Sequence, residues 1–298
     1  MAADSPQLLL KGESETELAP HGQGNVYAPD VHRDEDGNGW IMWYGGQGHD
    51  GHDRIHRADS TDGRHWEKRG VGVDCGTANH VNDPSVVRVG SLWWMFYTVA
   101  QTAELDEIAL ATSADGLHWE KRGVVLPKGE GAVWDSWKVG RPSVLFENGR
   151  FRMWYDGQPT TEAAAANALA GVVKREGRAV GYAESIDGLT WLRRSEPVFH
   201  EGAGAIDVVR LGDPLIMVIE SGSGVRWASS TVGLSWQGRG RLLPLSGGDL
   251  DRYGQVTPFL LEDAGKLRLF FGAARRRTWD GNSIVVAEVV LPPLGDTP

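Results

Sequence analysis

The sequence has little of three things: cysteine, long apolar runs and positive charge. Its 298 residues include one cysteine, Cys75, so no internal disulfide can form and nothing requires an oxidising compartment. The first residues hold an apolar run of only three leucines, and no stretch approaches the ~20 apolar residues of a membrane span. The formal net charge is −10, whereas nucleic acids and acidic membranes need a basic face. We therefore expect a cytoplasmic protein with no nucleic-acid partner and no membrane partner.

Tryptophan and glycine are abundant by contrast. The chain contains 13 tryptophans and 40 glycines. Tryptophan supplies large buried area and flat stacking faces, and glycine marks tight turns. This pairing indicates many short strands joined by hairpins, and it is compatible with a carbohydrate-binding cleft.

Two short motifs alternate along the chain, and they define a repeat. The first is an aromatic-rich strand, typified by FRMWYDG. The second is a hairpin of the form S-x-D-G-x-x-W, in which Asp-Gly supplies the tight turn because glycine accepts positive φ. The aromatic strands lie at 40–46, 93–99, 151–157, 215–221 and 267–273. The hairpins lie at 58–70, 111–123, 183–195 and 228–240.

The repeat predicts an all-β fold, a five-bladed β-propeller that forms one domain over residues 1–298. Each unit reads as four antiparallel strands, here called A to D from the inside outward. The fifth unit lacks strand D, and residues 6–13 resemble the strand D of the second unit at 123–130. We therefore expect the N-terminal strand to close the ring, because an open sheet edge would invite aggregation. An alanine-rich stretch at 161–176 predicts one helical insertion in blade 3.

The connections differ between the two faces of the predicted ring. The A–B and C–D turns are tight, whereas the D–A and B–C connections are longer and carry tryptophans and histidines, as functional loops on a rigid scaffold do. Each strand A begins, and each strand B ends, at the second face, which we call the mouth. Polar residues at the starts of strand A are Asp30, Asp83, Arg141, Asp207 and Gln255. Those at the ends of strand B are Gln47, Gln101, Asp156 and Glu220.

Several motifs resemble the five-bladed propellers of the arabinanase/β-xylosidase and invertase/levanase glycoside hydrolases. They are N-D-P-S-V in blade 2, the repeated M-[WF]-Y-x-G strand and the S-x-D-G-x-x-W hairpins, and together they cover nearly the whole chain. Those families place a catalytic Asp at the start of strand A in blade 1 and a second Asp, which tunes a pKa, in a D-P motif of a later blade. They place the Glu that acts as the acid in blade 4. This chain departs from that pattern: blade 1 reads A-P-D-V, with Asp30 displaced by one residue, and blade 3 has Arg141 where an Asp is expected.

The resemblance implies an enzyme that cleaves a small glycoside or oligosaccharide with carboxyl groups at the mouth. Asp30 would be the base or nucleophile, Asp83 would orient it, and Glu220 would be the acid ahead of Glu201 and Asp207. The residues expected to bind substrate are Arg141, Asp207, Glu201, Trp43, Trp134, Asp135, Trp137, His80, Gln255 and Trp279. For Arg141, an ion pair with a channel carboxylate is the alternative to a clamp on an anionic substrate.

Two other functions stay open at this point. One is a carbohydrate-binding propeller that has lost the acid and cannot hydrolyse. The other is a scaffold for protein contacts, which would leave the tryptophans of the mouth unexplained. We expect no cofactor and no metal, and we interpret the histidine-rich segment 48–56 as a polar loop because no distant partner completes a metal site. The sequence leaves open whether a cation binds at the channel centre near His80.

Overall fold

A computed structural model describes residues 6–34, 36–103, 105–131, 133–161, 178–200 and 204–294. They form twenty β-strands, which pair into five antiparallel sheets of four. No helix is among the elements formed by these residues, so nothing in them crosses a membrane as a long apolar helix. The predicted helical insertion is therefore not supported: most of 161–176 lies outside the described residues.

Each sheet is one blade, with its strands in the predicted order from the channel outward. Blade 1 contains β2 (Val26–Arg33), β3 (Trp40–Gln47), β4 (Asp53–Ser60) and β5 (Glu67–Val73). Blade 2 contains β6 (His80–Val89), β7 (Leu92–Thr102), β8 (Leu105–Ser113) and β9 (Glu120–Leu126). Blade 3 contains β10 (Lys138–Glu147), β11 (Arg150–Gln158), β12 (Ala179–Ser185) and β13 (Leu192–Arg193). Blade 4 contains β14 (Ile206–Arg210), β15 (Leu215–Ile219), β16 (Gly224–Ser230) and β17 (Gln237–Pro244).

Blade 5 takes its outermost strand from the other end of the chain. It contains β18 (Gly254–Asp263), β19 (Lys266–Ala274), β20 (Asn282–Val289) and the N-terminal β1 (Gln7–Lys11). β1 pairs antiparallel with β20, from Gln7 opposite Val286 to Lys11 opposite Ser283. The predicted closure of the ring by the N-terminal strand is confirmed.

The S-x-D-G-x-x-W hairpin forms a self-contained turn, as its sequence predicts. In blade 2, Ser113 Oγ accepts the N–H of Gly116 at 2.8 Å, and Gly116 has the positive φ of 69° that the turn requires. The Trp119 indole donates to the carbonyl of Gly116 at 3.1 Å. The Trp43 indole of blade 1 donates to the same carbonyl at 3.0 Å. The repeated hairpin therefore holds neighbouring blades together on the face away from the mouth.

A second set of contacts joins the blades around the channel. An Asp or Ser on the inner strand of blades 1 to 4 accepts a hydrogen bond from a backbone N–H of the next blade. The bonds are Val86 N to Asp30 Oδ2 (3.1 Å), Val144 N to Ser85 Oγ (2.9 Å), Val208 N to Ser143 Oγ (2.8 Å) and Leu260 N to Asp207 Oδ2 (2.9 Å). We call these four bonds the inter-blade belt. Phe259 holds the matching register position in blade 5, where its ring offers no acceptor oxygen.

Candidate functional site

Four residues stand at equivalent places at the start of the inner strands and line the channel. They are Ala28, Asp83, Arg141 and Thr257, each followed by proline. Their φ angles lie between 47° and 50°, in the left-handed region, and each sits where the pairing with the second strand shifts. Such conformations cost about 1–3 kcal/mol each in non-glycine residues and concentrate at functional sites. Blade 4 has no such shift between its first two strands.

Arg141 carries the positive charge among these four residues. Its Nη1 lies 2.6 Å from Asp156 Oδ2, and its Nε lies 4.0 Å from Asp83 Oδ2. Burial works to lower the pKa of the guanidinium, but the negative charges of Asp156, Asp83 and Glu220 outweigh it and raise the pKa. The ion pair with a channel carboxylate, one of the two alternatives for Arg141, is the arrangement found.

Glu220 directly follows β15 of blade 4 and binds to blade 5. Its Oε2 accepts the backbone N–H of Thr257 at 2.9 Å. No described residue bonds to its Oε1. Burial and the negative charge of Asp83 raise the pKa of Glu220, and they outweigh Arg141 and the Thr257 amide, which act to lower it. The free oxygen can therefore carry a proton that an ordinary glutamate would have lost.

Asp83 faces the channel from blade 2 and is 9% exposed. Its Oδ2 accepts the hydroxyl of Thr98 at 3.1 Å, and the same hydroxyl oxygen accepts the backbone N–H of Arg141 at 2.8 Å. Burial raises the pKa of Asp83, while Arg141 and Thr98 counteract part of that effect. Asp83 and Glu220 thus each have at least two groups that favour the ionised form, and the negative charge of Asp83 acts to raise the pKa of Glu220.

Asp156, on β11, binds the Arg141 side chain. Its Oδ2 binds both Arg141 and Arg178, and its Oδ1 is buried with no hydrogen-bond partner. Burial raises the pKa of Asp156 to about 8, and the neighbouring Glu220 adds to this. Because the side chain is only 6% exposed, Asp156 holds Arg141 in place and does not reach a ligand.

Asp30 and Asp207 belong to the inter-blade belt, below the mouth. Asp30 Oδ2 accepts the Val86 amide, and its Oδ1 lies 2.5 Å from His32 Nε2, so both carboxylate oxygens are occupied. The place in blade 1 that corresponds to Asp83 belongs to Ala28. Asp30 therefore lines the channel with Asp83 and Arg141, but it has no free carboxylate oxygen to offer a ligand.

The buried Asp207 gives the fold a dependence on pH. Burial and the charge of Asp30 raise the pKa of Asp207 to about 7 from an ordinary value of 3.8. The folded state therefore holds this proton more tightly than the unfolded state. The stability that results is fully present below about pH 4 and is lost as the pH rises through about 7.

We expect Asp207→Asn to reduce this loss of stability. The amide keeps the shape of the side chain, can still accept the Leu260 N–H and removes the buried charge. Between pH 5 and pH 8, the free energy of unfolding of the variant should fall by roughly 2–3 kcal/mol less than that of the wild type, measured with urea at both pH values. Asp213→Asn, at an exposed aspartate, is the control. A variant that declines as steeply as the wild type would contradict this account of Asp207.

Four of the residues expected to bind substrate are buried in structural contacts instead. Trp43 is fully buried between blades 1 and 2, where it bonds to the hairpin of blade 2. Trp134 stacks on Tyr155 with ring centroids 5.8 Å apart and is 3% exposed. Asp135 Oδ2 accepts the Tyr155 hydroxyl at 3.0 Å and also binds Arg193. The sequence could not show that these neighbours would cover them.

Gln255 is the fourth of these residues. It is fully buried, its Oε1 accepts the Val225 amide at 3.1 Å, and its Nε2 donates to Asp251 Oδ2 at 2.7 Å. These bonds fasten blade 5 to blade 4, so Gln255 has a structural role.

Three other predicted residues do lie at accessible places on this face. Trp137 is 37% exposed, with Lys138 Nζ 5.3 Å from its ring centroid, and Trp279 is 42% exposed. His80 is half-buried, with its Nε2 3.9 Å from Asp106 Oδ1. Glu201 lies outside the described residues.

Sequence reasoning placed Asp156 at the mouth without giving it a role, and it missed Thr98 and Arg178. Asp156 has a visible signal, because M-W-Y-D-G carries an aspartate where blade 1 has glycine in M-W-Y-G-G. Thr98 and Arg178 have none, because their contacts with Asp83 and Asp156 join separate stretches of chain.

The ring encloses little free space. The channel lined by Asp83, Arg141, Thr257 and their neighbours has a volume of about 30 Å³, enough for water but not for a sugar ring. Within the described ranges, no group of three or more His, Cys, Asp or Glu side chains is arranged to hold a metal ion. The channel itself has no room for a sugar ring.

Comparison with known proteins concerns two levels, sequence and fold. No family model matches the chain. Two curated relatives from strains of Mycobacterium tuberculosis, both described as uncharacterized proteins, are 35% identical to it over 137 residues. The match covers 41% of this chain and 44% of each relative, less than half the length of those proteins.

Solved structures match over nearly the whole chain. A protein described as a glycoside hydrolase has a TM-score of 0.73 at 17% identity and covers 97% of this chain and 95% of its own. A family 117 glycoside hydrolase from Zobellia galactanivorans has a TM-score of 0.69 at 12% identity, over 95% of this chain and 90% of its own. An alpha-L-arabinanase mutant from Cellvibrio cellulosa has a TM-score of 0.64 at 15% identity, over 89% and 91%. The chain is thus a five-bladed β-propeller, a fold that it shares with these solved structures.

Proposed function

We propose that this protein cleaves a glycosidic bond of a small glycoside or oligosaccharide at the mouth of the propeller. The observation that carries the proposal is the pair formed by Asp83 and Glu220, two carboxyl groups with raised pKa values close to the guanidinium of Arg141. Glycoside hydrolysis needs one carboxyl group that is protonated and another that is ionised. The charge relation between these two side chains favours that division of roles.

Glu220 is the general acid in this proposal. Its Oε1 is free of hydrogen bonds from described residues, and the charge of an ionised Asp83 favours the protonated form of Glu220. The proton passes from this oxygen to the oxygen of the leaving group as the glycosidic bond breaks.

Asp83 is the second carboxylate, either as base or as nucleophile. Arg141 and the Thr98 hydroxyl both favour its charged form, and its Oδ1 has no partner among the described residues. Asp30, the residue that the sequence favours for this role, has both oxygens occupied. Arg141 and Asp156 act as positioning residues, since their ion pair fixes the positive charge beside Asp83.

The test compares Asp83→Asn with Asp30→Asn on a glycoside that the wild type cleaves, identified from a panel of nitrophenyl glycosides. We expect Asp83→Asn to lower kcat by about 10²–10⁴-fold with little change in sugar binding. Asp30→Asn should leave kcat nearly unchanged and chiefly lower the melting temperature, because it removes the carboxylate that contacts His32.

Two results would contradict the proposal. If Asp30→Asn abolishes turnover and Asp83→Asn does not, the catalytic roles of the two residues are reversed. If the wild type binds sugars and cleaves no glycoside in the panel, a carbohydrate-binding propeller without hydrolytic activity is the better account.

A further inference from the structure

The same face of the propeller carries a second cleft, between blade 5 and the loop that enters blade 1. It has a volume of about 300 Å³, ten times that of the central channel. Its lining residues are Gln23, Asp249, Arg252, Tyr253, Arg275 and Arg276. Three guanidinium groups therefore meet one carboxylate in a protein whose formal net charge is −10.

Two arginines of this cleft have neutral hydrogen-bond partners. Arg276 Nη2 donates to the neutral Gln23 Oε1 at 2.8 Å, and Arg275 Nε donates to the Gly281 carbonyl at 3.5 Å. Neither forms an ion pair with a described residue, whereas Arg54, for example, binds two aspartates. Arg252 pairs only with the exposed Asp249, at 3.1 Å.

The walls of the cleft are fixed to the scaffold. Tyr253 N donates to the Ala274 carbonyl at 3.0 Å, which joins the D–A and B–C loops of blade 5. The guanidinium of Arg277 lies 5.7 Å from the Tyr253 ring centroid. Trp279, in the same B–C loop, lies beside Gly254 and is exposed. Guanidinium groups without an acidic partner, near a half-buried tyrosine and an exposed tryptophan, are suited to a sugar that carries a negative charge.

The cleft also lies close to the carboxyl pair. Tyr253 precedes Thr257 by four residues, which span at most about 13 Å, and the Thr257 amide binds Glu220. An oligosaccharide with one unit in this cleft can therefore extend another unit to Glu220.

We propose that this cleft is a subsite for an acidic sugar, one that bears a carboxylate or a sulfate, and that Arg275 and Arg276 bind its anionic group. This inference rests on the proposed function for the identity of the ligand as a sugar. It adds the substrate class, an oligosaccharide with a negatively charged unit next to the unit that is cleaved.

The test is a calorimetric titration of the full chain with glucuronate, glucose 6-sulfate and glucose at low salt. We expect both acidic sugars to bind more tightly than glucose and to weaken as salt rises. Arg275→Ala/Arg276→Ala should weaken their binding by about 10- to 100-fold. Arg64→Ala/Arg241→Ala, at two exposed arginines outside the cleft, makes the same change in net charge and should bind them as the wild type does. Whichever acidic sugar binds more tightly shows whether the cleft prefers a carboxylate or a sulfate.

Acidic sugars that bind no better than glucose, or that bind a folded Arg275→Ala/Arg276→Ala protein as they bind the wild type, would overturn the inference. Glu220→Gln should bind glucuronate normally, because the cleft does not include Glu220. Loss of turnover in Glu220→Gln without acidic-sugar binding to the wild type would defeat this inference alone. Acidic-sugar binding that needs the two arginines, in a protein that cleaves no glycoside, would defeat the proposed function alone.

Discussion

A chain that lacks residues 1–11 is expected to lose its cooperative thermal unfolding or to aggregate. β1 is the outermost strand of blade 5, and its removal exposes the whole edge of β20. It also removes Leu10, which is 4% exposed and packs in the core between blades 5 and 1 with Ile284. An unpaired strand edge is a template for pairing with other chains. Circular dichroism melts and light scattering measure both effects.

A deletion of residues 1–5, which ends before β1 begins, is the matched control and should melt like the full chain. Leu10→Ala keeps the strand and removes one core side chain, so it should cost about 2–5 kcal/mol without causing aggregation. A chain without residues 1–11 that melts at the wild-type temperature would show that the ring does not depend on its closing strand.

Glu220→Gln is expected to lower kcat by about 10²–10⁴-fold on a glycoside that the wild type cleaves. The amide keeps the size of the side chain and can still accept the Thr257 N–H, but it cannot donate a proton to the leaving oxygen. Sugar binding should survive. Burial holds the pKa of Glu220 above its ordinary value of 4.5, so wild-type activity should decline only when the pH rises through that raised pKa.

The matched control is Glu262→Gln, at an exposed glutamate of β18 outside the mouth, which should leave kcat unchanged. The two variants change the net charge equally, so a difference between them reports on position. Full turnover by Glu220→Gln would show that Glu220 is not the general acid. The proposed mechanism would then have no group that protonates the leaving oxygen.

The sequence predicted the fold better than the site because the two depend on different kinds of contact. The hairpin of blade 2 is local: Ser113, Gly116 and Trp119 bond to one another within seven residues, so the motif alone shows the turn. The similarity of residues 6–13 to residues 123–130 likewise predicts the closure of the ring, because both stretches have the sequence of an outermost strand.

The site depends on contacts between blades, which the order of residues does not reveal. Asp30 looks available in the sequence, but its second oxygen is taken by Val86, 56 positions away. Trp43 looks like a stacking surface, but its indole bonds to Gly116 of the next blade. The placement of Arg141 and Glu220 at one end of the channel was predictable, because antiparallel connectivity alone brings the start of strand A near the end of strand B.

The four residues before proline have a consequence for how such a protein changes over time. All four have a positive φ of 47–50°: Ala28, Asp83, Arg141 and Thr257. Their side chains are nevertheless a methyl group, a carboxylate, a guanidinium and a hydroxyl. The shift in strand pairing thus sets the backbone geometry at these positions, and the side chain sets which functional group is presented. A single substitution at any of these places exchanges the functional group presented to the channel while the path of the chain is kept. We therefore expect the chemistry of the mouth to change through single substitutions at these four positions, without a change of fold.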